Sequence, residues 1–188
     1  ADGLWGHAVI DMMKDCGTKL IMVDPRMTWL ATRADIVLQL RPGTDAAMAL
    51  GLLNVIINED LYDHDFVEKW CYGFEQLAER VKEMPVEKAA EITGVDAGLI
   101  AEAARVYAAA KPAQIAWGLA IDMQISAMEA SNAIDDMVAI CGNLDVPGGN
   151  VLVRYAYNSS KKYGAGLEFI SPEMLDRRTV SYTHLTLP

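Results

Sequence analysis

Two short apolar runs, each cut off by a charged turn, constrain this chain more than any other feature. They lie in Lys19 to Asp45, KLIMVDPRMTWLATRADIVLQLRPGTD. The first, Leu20 to Val23, stops at Asp24-Pro25-Arg26, and the second, Ile36 to Leu40, stops at Arg41-Pro42-Gly43-Thr44-Asp45. Runs this short, bounded by turn residues, read as buried strands that deliver polar groups to their C-terminal ends. In an open α/β sheet ligands bind outside the carboxyl ends of the strands, so two such ends close together predict one ligand crevice.

Helical signals fill most of the remaining chain. Ala8, Ile10, Met12 and Met13 carry an apolar face that Gly17 should end, and Thr28 can start a short turn through Ala34. A long helix over Ala46 to Asn58, capped by Thr44 or Asp45, is apolar enough to be buried on most sides. Asp63 caps a helix near His64 to Tyr72, Gly73 ends it, and Phe74 to Lys82 is amphipathic. Pro85 at a first helical position opens a short helix through Glu91. Asp96 caps Ala97 to Ala109, whose inward stripe is Leu99, Ile100, Ala103, Ala104 and Tyr107. Ala113 to Trp117 reads as a third buried strand before Gly118, and Glu129 to Cys141 as a helix stopped by Gly142-Asn143. The expected fold class is α/β, a doubly wound, Rossmann-like, mostly parallel sheet with an additional helical layer.

Composition removes several function classes. A formal net charge of -10 over 188 residues argues against nucleic acid or an anionic membrane surface as partner, because both reward clustered Lys and Arg. No uninterrupted apolar run approaches the roughly 20 residues that span a bilayer. Cys16, Cys71 and Cys141 are too scattered for a zinc or iron-sulfur motif and read as small buried or half-buried thiols. His7, His64 and His184 form no catalytic set, and there is no phosphate-binding P-loop.

Candidate ligand groups therefore sit on the loops. Asp24 has two readings: it accepts from a ribose or a purine N–H edge, or it bonds the local backbone of an Asp-Pro turn. Arg26 suits a phosphate. In the second loop Gly43 permits close approach, Arg41 adds charge, and the helix start after Thr44 offers free N–H groups to an anion. Asp45 suits a sugar hydroxyl or guanine. The alternative there is an ordinary helix cap without ligand. Trp117-Gly118-Leu119 is a third candidate loop, against a buried aromatic followed by a turn.

Taken in order, the run from Lys19 to Trp70, the segment EITGVDAGLIAEAARVYAAAKPAQIAWGLAID and the segment AICGNLDVPGGN resemble the molybdopterin oxidoreductases of the dimethyl sulfoxide reductase type. The wording near Ala1 to Arg26 and WGLAIDMQ is most similar to the branch of acetylene hydratase, pyrogallol transhydroxylase and catechol dehydroxylases. The resemblance implies a molybdenum or tungsten bis(molybdopterin guanine dinucleotide) cofactor. Asp24, Pro25, Arg26 and Thr28, with Arg41, Gly43, Thr44 and Asp45, would hold the guanosine and phosphates of one arm. Gly118, Leu119 and Met123 would approach the pterin, although the family often has Met and Gln where Leu119 and Met123 stand.

It also implies that the chain is an internal fragment of a larger multidomain enzyme, with the iron-sulfur [4Fe-4S] motif and the metal ligand upstream. Residues 1–153 would be part of the cofactor-binding α/β region, 154–178 an irregular continuation, and 179–188 a non-native or disordered tail. The intact enzyme would carry out two-electron redox or oxygen-group chemistry on a small-molecule substrate, with room for an electron-transfer subunit. The competing class is a nucleotide-binding or nonenzymatic interaction domain that uses the same sheet without metal.

Overall fold

A long apolar helix, α2 (Asp45–Asn58), is the axis of the structure. Its run of Ala, Leu and Met favours helix intrinsically, and from Ala47 to Ile56 every residue but Leu50 is buried. Such a helix needs partners on all sides, and it has them in α4 (Phe74–Val81), α5 (Val86–Thr93), α6 (Ala97–Ala109) and α8 (Ala127–Ile140). Gly51 lets α5 come close, since a Cβ there would lie 2.5 Å from Ala89 Cβ. Asn54, buried within α2, donates to the Val81 carbonyl at 2.8 Å, which satisfies a polar group at the end of α4.

The structure is a computed structural model and describes residues 4–152 and Ser171. The first compact unit is Ala1–Val151, and the second, Leu152–Pro188, contributes only Leu152 and Ser171 to the described residues. The expected irregular continuation over 154–178, apart from Ser171, and the expected tail over 179–188 lie outside the described residues, as does His184. The unit opens with α1 (Leu4–Cys16), then β1 (Ile21–Val23) and β2 (Ile36–Leu38), before α2. The strands pair in parallel, with Ile21 opposite Ile36 and Val23 opposite Leu38. Beyond α2 come α3 (His64–Trp70), the helices named above, and a single turn, α7 (Leu119–Asp122), ahead of α8.

The described residues are thus mostly helical, with a two-stranded parallel ribbon in place of a broad sheet. The third expected strand, Ala113 to Trp117, is not a strand: it is extended chain held by side chains. The apolar face expected of α1 stays largely in water, with Ala8 and Met12 exposed and Ile10 and Met13 half-buried, because so narrow a ribbon offers little to cover it. Cys16 is exposed rather than buried, lying at the end of that helix. No helix among the described residues is long and apolar enough to cross a membrane.

Caps set most of the other boundaries. Asp63 and Asp96 accept from the N–H groups of Phe66 and Leu99 at 3.0 and 3.1 Å, as their sequence positions predict. Pro85 stands one residue before its helix rather than in its first position. Gly94, at φ +78°, closes α5 in the left-handed conformation that favours glycine. Arg105 forks onto the Glu59 carboxylate at 2.6 and 2.7 Å, tying α6 to the end of α2 and holding the Glu59 carboxyl below its ordinary range.

Candidate functional site

The ends of β1 and β2 are brought abreast by a reciprocal clamp at their other ends. The Leu20 N–H donates to the Asp35 carboxylate at 2.8 Å, and the Asp35 N–H donates to the Leu20 carbonyl at 2.9 Å. With the register fixed there, the chain leaves both strands side by side at Asp24 and Gln39. Gln39 then joins the two loops, its amide donating to the Pro25 carbonyl at 3.0 Å. Sequence reasoning missed Gln39, because nothing in a short polar interruption of an apolar run says which loop it will reach.

Within the first loop, Asp24 accepts from the Arg26 N–H at 2.7 Å, the local turn that was one of its two readings. The Arg26 guanidinium is 3.9 Å from the same oxygen and otherwise in solvent. Thr28 begins a helical turn, accepting from the Ala31 N–H at 3.2 Å, and Arg33 lies over the Trp29 ring.

In the second loop the structure commits Arg41 elsewhere. Its guanidinium donates to the carbonyls of Glu91 and Ile92 at 2.7 and 3.0 Å, and its N–H to the Thr93 carbonyl at 2.8 Å. A cation there satisfies the orphan carbonyls and the negative dipole end of α5. Thr44 occupies the N-cap position of α2 but does not cap it, because its hydroxyl donates to the Arg41 carbonyl at 2.7 Å. Asp45 is the first helical residue. The start of α2 has no side-chain cap, and Gly43, at φ +81°, has open space where a Cβ would be.

The third loop is positioned by asparagines from the turn after α8. Asn150 does to Ile115 what a neighbouring strand would do: its Oδ1 accepts from the Ile115 N–H at 2.9 Å and its Nδ2 donates to the Ile115 carbonyl at 2.7 Å. Asn143 accepts from the Ala113 N–H at 3.0 Å. These contacts leave the chain extended up to Gly118, around which no atom would touch a Cβ, and α7 begins there. Leu119 and Met123, 74% and 78% exposed, stand on the surface of this segment. The motif AICGNLDVPGGN was visible in the sequence. Its role as a side-chain substitute for a strand was not, since that depends on pairing across 35 residues.

Lys111 anchors the near end of this loop by donating to Asp63 at 2.7 Å. That ammonium, followed by the Phe66 N–H, holds the Asp63 carboxyl below its ordinary value near 3.8. Because the folded-state value is the lower one, the bridge contributes fully above the unfolded value and is lost as pH falls through the folded one. Lys111→Met should therefore lower Tm at neutral pH, with the gap from wild type closing as pH falls below the carboxylate range. A pH series of thermal melts checks this, and a gap that persists in acid would mean the loss is one of packing.

Two other regions carry no chemistry toward these loops. A cleft of about 460 Å³ between α3, α4 and α8 is lined by Trp70, Cys71, Tyr72, Phe74, Leu77 and Asp136, and none of the predicted site residues reaches it. Burial pushes the Cys141 thiol up to about 12, so it is a packed group and not a nucleophile at neutral pH. No cluster of metal-ligating side chains occurs among the described residues.

Residues 6–182 match the sequence model of the molybdopterin oxidoreductase family. The chain belongs to the molybdopterin oxidoreductase family. Acetylene hydratase of Syntrophotalea acetylenica is 54% identical over 136 residues, which are 72% of this chain and 18% of that protein. Formate dehydrogenase H of Escherichia coli is 37% identical over 131 residues, 70% of this chain and 18% of that one. The solved structure of the acetylene hydratase from Pelobacter acetylenicus superposes with a TM-score of 0.70 at 51% identity, covering 72% of this chain and 19% of that chain. The family resemblance read from the sequence is thereby established, and the chain spans about a fifth of the length of these relatives.

Proposed function

We propose that, within a larger enzyme, this chain holds the guanine dinucleotide arm of a molybdenum or tungsten bis(molybdopterin guanine dinucleotide) cofactor. The observation that carries the reading is the side-by-side delivery of two loops from parallel strand ends, in a chain of a molybdopterin family. Asp24, Pro25, Arg26 and Thr28 line one side, and Gly43, Thr44 and Asp45 the other. Arg41 contributes by fixing the loop onto α5, which leaves Arg26 as the loop cation free to meet phosphate. The uncapped start of α2 and the open space at Gly43 fit an anion approaching closely. Gly118, Leu119 and Met123 face the pterin side, where apolar surface suits a flat heterocycle. The two-stranded ribbon is one part of the doubly wound sheet of the intact protein.

When bound, the cofactor supplies two-electron metal chemistry on a small substrate, with a [4Fe-4S] cluster and an electron-transfer subunit completing the path. The residues of this chain bind and orient.

In the full-length protein, Asp24→Ala or Asp45→Ala should lower the guanine nucleotide released on denaturation about tenfold, as loss of one charge-assisted hydrogen bond predicts. The apo form should lose only about 1 kcal/mol, the worth of an exposed turn or helix-start interaction. Unchanged nucleotide content would leave both carboxylates as turn and helix-start residues only.

A further inference from the structure

The cleft between α3, α4 and α8 is firmly built, yet it presents aromatic rings to solvent. Its floor is Phe74, Leu77 and Ile140, all of which pack on the core, and the Phe74 ring centroid lies 4.6 Å from that of Tyr62. Its lip is Trp70 and Tyr72, the first 76% exposed and the second fully so. Tryptophan and tyrosine are the side chains that most often carry the binding energy of interfaces, and two of them at the mouth of one cleft make a patch rather than scattered surface residues.

The wall contributed by α8 carries Asp136. Partial burial and the neighbouring Asp135 carboxylate hold its carboxyl above the ordinary range. Arg80, the cation among the lining residues, is paired with Glu83. Asp136 also stands close to Cys71, whose thiol is pushed up by burial first and by that carboxylate second. The carboxylate and the aromatic lip therefore share one opening. Such a combination recognises a guanidinium or ammonium group, the rings through their negative faces and the carboxylate through charge.

We propose that this cleft is an internal docking site: a segment of the same polypeptide, outside these 188 residues, lays an arginine or lysine over Trp70 and Tyr72 and pairs its cation with Asp136. The inference rests on this chain being part of a larger protein and not on the cofactor reading. The chain spans about a fifth of the length of its relatives, so ample polypeptide is at hand to cover the cleft. A tethered segment meets it at an effective concentration of about millimolar, which keeps even a modest contact closed. The chain's formal charge of -10 favours a basic occupant over an acidic one.

The test is hydroxyl-radical footprinting of the full-length protein, with oxidation of Trp70 read by mass spectrometry. Wild-type Trp70 should be oxidised far more slowly than in urea, at a rate independent of protein concentration. Asp136→Asn should speed its oxidation about tenfold, as loss of one charge-assisted hydrogen bond predicts. Glu75→Gln, at an α4 carboxylate outside the cleft lining, should leave the rate unchanged. Asp136→Ser serves as the second variant if the first does not accumulate. Oxidation of wild-type Trp70 at the unfolded rate overturns the proposal, because the cleft is then open to water. Protection that is lost on dilution overturns it in favour of a second copy of the protein. An unchanged rate in Asp136→Asn, or an equal gain in Glu75→Gln, overturns the cation pairing and the proposal with it. Metal and nucleotide content of the same samples reads the cofactor assignment separately, so failure of one leaves the other standing.

Discussion

Gly149→Ala is expected to cost about 3 kcal/mol and to release the segment leading to Gly118, the larger of the effects foreseen for single substitutions near the site. A Cβ at Gly149 would collide with the Asn143 carbonyl and lie 2.8 Å from Val146 Cγ2. The turn cannot simply retreat. The Asn150 N–H donates to that same Asn143 carbonyl at 2.8 Å, and the Gly149 N–H to the Val146 carbonyl at 3.0 Å. Moving Asn143 or Asn150 breaks the bonds by which their side chains hold Ala113 and Ile115. Urea denaturation measures the loss, and amide exchange at Ala113 and Ile115 reports the release. Wild-type protection of those two amides in the variant would show that the loop is held by something other than the asparagines.

Leu53→Ala should cost about 3 kcal/mol through a different mechanism. Leu53 is 0% exposed at the middle of α2, the helix against which α4, α5, α6 and α8 all pack. Truncation removes the transfer energy of the lost atoms and leaves a cavity that the packed surroundings close only in part. Leu119→Ala, at a side chain 74% exposed, should change the cofactor-free stability by less than about 0.5 kcal/mol. Thermal melts of the pair compare core with surface. Equal losses would mean that α7 is buried in the intact protein, so the comparison also reads how far neighbouring domains cover this face.

Helices were legible where local chemistry fixes both ends. Ala97 to Ala109 was legible from the Asp96 cap before it and the inward apolar stripe along it, and the structure has those bounds. α2 was legible as a helix buried nearly all round, although its cap was not, because the Thr44 hydroxyl turns back to Arg41. What failed depended on distant partners. Arg41 looks like a ligand cation in its own loop, and only the fold brings the end of α5, 50 residues on, against it. Ala113 to Trp117 has strand composition, but a strand needs a backbone neighbour, and here two asparagines take that place. α7 is too short to show periodicity at all.

The site divides in the same way. Asp24 and the Gly43 turn could be picked out because strand ends and glycine turns have sequence signatures, and their adjacency follows from parallel pairing. Gln39, Asn143 and Asn150 carried no such signature. Each is a single amide whose meaning is set by what the fold puts opposite it.

The most direct test of the account is chemical: denature the purified full-length protein and quantify molybdenum, tungsten and guanine nucleotide in the supernatant. Metal and guanine nucleotide should be released together, and the nucleotide should fall when Asp24 and Asp45 are both replaced by alanine. Soluble, folded, fully matured protein that releases neither metal nor guanine nucleotide would contradict it.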